Sequence, residues 1–177
     1  MTGVQTCALP ICAAYSPALT DLVIMVEKQS FMFLTGPDVI KAVTGEVIDA
    51  ESLGGSNVHM SVSGVAHLAV TSEKAALEMA RHYLSYMPSN NVENPPFIKP
   101  EDDSTRMDES LNSMVPIDPS EPYIMHQVIE KIIDQGTFLE IQPDWARNAI
   151  VGLARIGGHS VGIVGQEPAI MAGVIDI

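Results

Sequence analysis

Positive charge is scarce in this sequence: 9 Lys and Arg stand against 22 Asp and Glu, for a net charge of −13 over 177 residues. Such a chain repels phosphate backbones and anionic lipid, so neither nucleic acid nor a membrane surface is an expected partner. Long apolar runs are also missing. The longest, Leu22–Val26, has the length of a strand and falls far short of the ~20 residues a membrane helix needs. Cysteine occurs only as Cys7 and Cys12, too close together to close a stabilising loop and with no further Cys to complete a zinc pair. Their scarcity, and the lack of a Lys/Arg-rich leader, point to a reducing compartment, the cytoplasm.

Side-chain catalysts are equally thin. His59, His67, His82, His126 and His159 show no H-x-x-x-H or H-E-x-x-H spacing, so no metal site is expected. The acidic cluster Glu101-Asp102-Asp103 with Asp108-Glu109 lacks the glycine and spacing of a calcium loop and reads as solvated linker. Gly158-His159-Ser160-Val161-Gly162 spells G-x-S-x-G, which in a serine hydrolase places the nucleophile on a strand-to-helix elbow. Here Ser160 is followed by the β-branched run Val161-Gly162-Ile163-Val164 and then Pro168, so no helix follows and Ser160 reads as a strand residue. In that strand His159, Val161 and Ile163 share one face, and Ser160, Gly162 and Val164 the other.

What the chain has is apolar residues, 46% of the total, and glycine. "DLVIMVE" and "SFMFLT" read as two strands. Pro37 opens a short helix to Thr44, closed by Gly45. A turn-rich passage containing Gly54-Gly55 and Gly64 leads to a helix capped by Ser72 and running from Glu73 to about Met87. Its inward stripe is Ala76, Met79, Ala80, Tyr83 and Leu84. Residues 88–117 read as a linker. A further helix begins near Glu121, with Met125, Val128, Ile129, Ile132 and Ile133 inward, His126, Glu130 and Asp134 on the wet side, and Gly136 as its cap. "FLEI", "AIVGLARI" and "HSVGIVG" are strands, the last two joined at hairpin spacing by Gly157-Gly158. Mixed in this way, the elements indicate an α/β or α+β chain in two segments. Glycine lets main chain approach a ligand closely and lets N–H groups point where charge develops, so main chain is the expected chemical resource.

The ordered blocks "AAYSPALTD" (13–21), "FLTGPDVIKAVTGE" (33–46), "LGG" (53–55), "SGVAH" (63–67), "YMPSNN" (86–91), "VP" (115–116), "PDWARNAIVGLARIGGHSVGIVGQEP" (143–168) and "AGVIDI" (172–177) resemble one family. It is the carboxyltransferase (β) subunit of biotin-dependent acyl-CoA carboxylases, of the propionyl-CoA carboxylase and methylmalonyl-CoA carboxyltransferase type. The resemblance implies two crotonase-like (ClpP/crotonase) α/β superhelix domains. Residues 13–117 are then the end of the first, including linker 88–117, and 118–177 the start of the second. It implies transfer of CO2 from carboxybiotin, delivered on the carrier of a biotin carboxylase/biotin carrier (α) subunit, to the α carbon of a short-chain acyl-CoA. Propionyl-CoA, giving methylmalonyl-CoA, is the expected substrate, and the family forms hexamers. Backbone N–H pairs would stabilise the two oxyanions, each fixed donor contributing about 3 kcal/mol to the rate. The resemblance further implies that Ala13 and Ala14 flank the first oxyanion hole, and that Gly54, Gly55, Gly64, Gly162, Gly165, Gln166, Pro168 and Gly173 contact substrate. The family's Gly-Gly positions hold Ile11 and Cys12 here, and "GVQTCALPIC" resembles translated sequencing adapter, so residues 1–12 are expected to be non-native and the fragment inactive alone. The other readings are a biotin-dependent decarboxylase subunit, a serine esterase using Ser160, and a non-enzymatic interaction domain.

Overall fold

Ile24–Val26 (β1) and Leu68–Val70 (β2) are apolar three-residue runs that pair in parallel, Met25 opposite Ala69. A parallel pair needs a long crossover, and the chain between them supplies three helices. The computed structural model describes residues 14–103 and 105–175, which divide into two units at Glu78/Met79. The expectations placed on Ile11, Cys12 and Ala13 lie outside the described residues.

In the first unit, Tyr15–Ala18 forms the single turn α1, and Pro37–Thr44 forms α2 as the sequence predicts. Proline occupies the first turn of α2, where its missing N–H costs nothing, and Gly45 closes the helix in the left-handed region at φ 76°. "SFMFLT" is not a strand. Its Met32 N–H donates to Gly54 O (2.9 Å) and its Met32 carbonyl accepts from His59 Nε2 (2.6 Å), so loop and helix partners take the bonds a sheet neighbour would supply. The passage read as turns is instead helical, Ala50–Gly54 (α3) and Ser56–Ser61 (α4). Asp49 caps α3 by accepting from Ser52 N–H at 2.9 Å, a local signal that the glycines obscured. Val23, Met25, Met60 and Ala66 form the core of this unit.

Glu73–Leu84 is α5, three residues shorter than the sequence predicts. Leu84 is 62% exposed, and the buried aromatic is Tyr86, beyond the helix end, whose hydroxyl donates to Thr137 O at 2.6 Å.

In the second unit, Leu111–Met114 is the single turn α6 and Met125–Ile132 is α7, which starts four residues later than expected. Leu139–Ile141 (β3), Ala149–Ile156 (β4) and Gly157-Gly158 followed by His159–Gln166 (β5) make an antiparallel sheet in the order β3-β4-β5. Gly157 and Gly158 both have positive φ, 57° and 82°, which matches the twist of a two-residue hairpin. Ile129 and Ile133 from the α7 region bury against Ile150 and Ala154 of β4, with Val161 and Ile163 alongside. Each buried isoleucine contributes roughly 1.5–3 kcal/mol of apolar transfer.

Residues 89–99 are exposed and without regular structure, as a linker composition implies, but Asp102, Arg106 and Asp108 are tied to the α7 region. Arg106 donates to Asp102 (2.7 Å) and to the carbonyls of Lys131 (2.9 Å) and Ile133 (2.8 Å), satisfying groups at the C-terminal end of α7. Asp102 also accepts from Gln135 N–H, and Lys131 pairs with Asp108 at 3.0 Å. The Ser110 hydroxyl and Lys131 hold the Asp108 pKa down at about 2. Among the described residues no helix is long and apolar enough to cross a membrane.

Candidate functional site

The hairpin β4–β5 has two faces with different surroundings. Ile150, Gly152 and Ala154 with Val161, Ile163 and Gly165 face α7; the alternate residues, Val151, Leu153 and Arg155 with Ser160, Gly162 and Val164, face away. Strand alternation alone would leave Arg155 wet, yet it is 3% exposed. Residues 85–98 cover that end of the outer face. Arg155 donates to Pro96 O (2.8 Å), Ser85 O (2.6 Å) and Ser160 Oγ (3.1 Å), and its guanidinium lies 4.8 Å from the Tyr86 ring centroid. Four acceptors and an aromatic face compensate the buried cation, counting Gly158 O at 3.4 Å. The sequence signal for this residue is a lone arginine inside the apolar strand "AIVGLARI".

Ser160 is therefore a strand residue, paired with Arg155 across the hairpin. Its hydroxyl accepts from a guanidinium, which cannot take a proton and so cannot serve as a general base. His159 points to the opposite face and meets Phe97, ring centroids 5.1 Å apart. Among the described residues no general base is hydrogen-bonded to Ser160.

Beyond the covered end, the outer face opens. Val164 is 79% exposed and Val151 45%. Gly162, two residues before Val164 on β5 and opposite Leu153, has nothing within 4 Å of where a Cβ would stand, and its φ is not positive. Neither conformation nor packing within the described fold requires glycine there. Gly165 differs: it faces α7, and a Cβ would press on Met125 Cγ at 3.3 Å. Of the expected substrate contacts, Gln166, Pro168 and Gly173 come together. Gly173 turns back at φ 71° so that a Cβ there would lie 3.5 Å from Gln166 Cβ and 3.6 Å from Pro168 Cα. Gln166 extends the outer face, while Gly173 is buried at the end of a turn whose Met171 and Ala172 are also left-handed.

In the first unit, Gly54 and Gly55 have packing reasons of their own. A Cβ on Gly54 would overlap Met32 O, and one on Gly55 would overlap the Glu51 carboxyl. Gly55 precedes α4 and its carbonyl accepts from His59 N–H. Gly64 has φ 67° just after α4. Ala14 stands at the N-terminal end of α1, its carbonyl accepting from Ala18 N–H at 3.1 Å.

His59, His67 and His126 have ring nitrogens in hydrogen bonds within the fold. His59 donates through Nε2 to Met32 O and pairs through Nδ1 with Ser63 Oγ at 2.7 Å. His67 Nδ1 accepts from Val23 N–H at 3.0 Å, and burial pushes its pKa down. His126 and Asp134 are partly exposed, as their place on the wet side predicts, but each also has partners within the fold. Asp134 accepts from Gly157 N–H (2.8 Å) and Gly158 N–H (2.7 Å), bracing the hairpin turn, and His126 lies between Glu140 and Glu167. Among the described residues no group of three or more His, Cys, Asp or Glu is arranged to hold a metal ion. Sequence reading missed Arg155, Tyr86 and Glu167, each of them placed by partners distant in the chain.

Residues 4–177 match the carboxyl transferase domain model. The chain is 51% identical over 165 residues to the carboxyltransferase subunit of propionyl-CoA carboxylase from Haloferax mediterranei, covering 93% of this chain and 32% of that protein. It is 50% identical over 165 residues to the alpha subunit of methylmalonyl-CoA decarboxylase from Veillonella parvula, with the same coverage. The solved structure of transcarboxylase 12S, a hexamer assembly with methylmalonyl-coenzyme A and methylmalonic acid bound, superposes with a TM-score of 0.87 at 44% identity, over 93% of this chain and 31% of that one. The chain thus spans about a third of the length of the relatives it matches. With a family match running through almost every residue, this mixed α/β chain belongs to the carboxyl transferase domain family.

Proposed function

We propose that the whole protein of which this chain forms part transfers a carboxyl group between carboxybiotin and the α carbon of a short-chain acyl-CoA, with propionyl-CoA as the substrate, in the cytoplasm. The observation that carries the reading is the 51% identity, over 93% of this chain, to a propionyl-CoA carboxylase carboxyltransferase subunit. The donor set fits that chemistry, because glycine-lined main chain is available and no side-chain nucleophile with a base is assembled around Ser160.

Each residue has a place in this proposal. On the face that also carries Val151, Leu153 and Val164, Gly162 offers extended backbone that a ligand can approach closely, and Gln166, Pro168 and Gly173 lie at the end of that face. Gly165 sets how closely β5 sits on α7 and so shapes that face from behind. Gly54, Gly55 and Gly64 hold the backbone of the first unit, and Ala13 and Ala14 flank the first oxyanion site. The chain's task is to orient the thioester and present N–H groups to its developing enolate oxygen. Carboxybiotin, carried by a partner biotin carboxylase/biotin carrier subunit, supplies the carboxyl group and the acceptor for the α-proton. Residues 13–117 and 118–177 are proposed as the end and the start of two crotonase-like domains in a homo-oligomer.

Incubation of the full-length protein with a carboxylated carrier and propionyl-CoA tests this directly. Labelled carboxyl appearing in methylmalonyl-CoA supports the reading, and no transfer to any short-chain acyl-CoA refutes it. The likeness to a methylmalonyl-CoA decarboxylase subunit favours one further reading, in which the same site runs toward the carrier. Net loss of carboxyl from methylmalonyl-CoA onto biotin would identify that case.

A further inference from the structure

His126, in the first turn of α7, has a carboxylate at each ring nitrogen. Nε2 lies 2.8 Å from Glu140 Oε2 on β3, and Nδ1 lies 3.4 Å from Glu167 Oε2, just past β5. A neutral imidazole has one N–H and one lone pair, so one of these carboxylates would face a lone pair. Both contacts are attractive only when the ring carries two protons.

Glu167 is 4% exposed, and its other partners are main chain. Oε2 accepts from Met125 N–H (3.1 Å) and Oε1 from Ala169 N–H (3.2 Å), while its own N–H donates to Asn148 O (2.9 Å). One carboxylate therefore ties the start of α7, the His126 ring and the first residues of the loop leaving β5. That loop then passes through left-handed Met171, Ala172 and Gly173, at φ 50°, 54° and 71°. Non-glycine residues hold such a conformation only where their surroundings over-determine it.

We propose that protonated His126 is a positioning residue that latches the Pro168–Gly173 loop through Glu167, and that losing its proton loosens the loop and weakens acyl-CoA binding there. The identity of the ligand rests on the function proposed above; the latch does not.

Glu140 and Glu167 are the charged groups that face the ring. On α7 Glu130 lies one turn on and is exposed, Lys131 is paired with Asp108, β4 presents uncharged Gly152 opposite Glu140, and Phe138 meets the ring edge at 6.3 Å between centroids. Burial opposes the charged ring, but the hydrogen bonds and charges of Glu140 and Glu167 outweigh it and raise the His126 pKa above its ordinary value. The latch is closed below the ordinary histidine range and opens as pH rises through the raised pKa.

The test is an NMR titration of the His126 ring in the whole chain, from about pH 6 to about pH 9, with amide-exchange protection at Ala169 and Met125 followed in parallel. His126 should titrate above ordinary histidine, and protection at Ala169 should fall severalfold over the same range. His126→Arg, which keeps two donors at every pH, should stay protected throughout, and His126→Gln should be unprotected throughout. In the full-length enzyme KM for acyl-CoA should rise over that range with kcat little changed, and His126→Arg should flatten the profile. Protection that ignores the titration, or that still varies with pH in His126→Arg, overturns the latch. A flat KM profile in an enzyme whose latch titrates overturns its link to the ligand. An enzyme without carboxyl transfer at any pH refutes the functional reading and the ligand half of this proposal, while the exchange data still decide the latch.

Discussion

Two glycine pairs, Gly54-Gly55 in the first unit and Gly157-Gly158 in the second, look alike in the sequence and exist for different reasons. Neither Gly54 nor Gly55 has positive φ; Met32 O and the Glu51 carboxyl occupy the space their side chains would take. Gly157 and Gly158 both have positive φ, and only Gly158 is also crowded, by Ile98 O and the Phe97 ring. The lesson is that glycine marks at least two separate constraints, close approach and left-handed backbone. A glycine with neither, such as Gly162, is where a reason outside the fold should be sought.

The comparison can be broken most forcefully at Arg155, which ties residues 85–98 to the hairpin carrying the second pair. Arg155→Ala removes the donor from Pro96 O and Ser85 O and leaves a void against Tyr86, so urea unfolding should show a loss of roughly 3–5 kcal/mol. Substituting the glycines sharpens it. Gly54→Ala and Gly158→Ala, which overlap backbone, should each cost about 2–4 kcal/mol. Gly157→Ala, strained but unobstructed, should cost about 1–2 kcal/mol. Gly162→Ala should fall within about 0.5 kcal/mol of the parent. If the four substitutions gave equal losses, the distinction between the pairs would be false.

The smallest effects separate the units by pH. His67 is held neutral by burial, so the first unit keeps its stability above the ordinary histidine pKa and loses some as pH falls below it. His126 is held charged by its carboxylates, so its stabilisation is full below that pKa and is lost as pH rises through the raised folded value. Replacing His67 by Gln should flatten the acid side of a melting-temperature profile, and replacing His126 by Gln the alkaline side. A change on the same side for both would contradict the assigned environments.

Much of the fold is legible in local signals. Pro37 and Gly45 delimit α2, the isoleucine spacing marks α7, and Gly157-Gly158 marks a hairpin, because each is decided by backbone preference within a few residues. "SFMFLT" misleads since strand propensity is realised only when a neighbour supplies a ladder, and here Gly54 and His59 take those bonds. The helices α3 and α4 escape notice because they are short and meet at Gly54-Gly55, although Asp49 caps the first. The candidate surface at Gly162 is legible as a glycine with its face assigned. That one end is covered, and that Arg155 is buried there, depends on residues 59 positions away at Pro96, which no local window contains. The carboxylates flanking His126 are hidden for the same reason, lying 14 and 41 residues further along.

The central claim, that main chain at Gly162 and not the Ser160 hydroxyl serves the reaction, is tested most directly by carboxyl transfer to propionyl-CoA in full-length Ser160→Ala and Gly162→Val enzymes of verified fold. The account predicts that Ser160→Ala keeps transfer within about twofold of the parent, while Gly162→Val loses at least about tenfold with a raised KM. Transfer abolished by Ser160→Ala and undisturbed by Gly162→Val would contradict it.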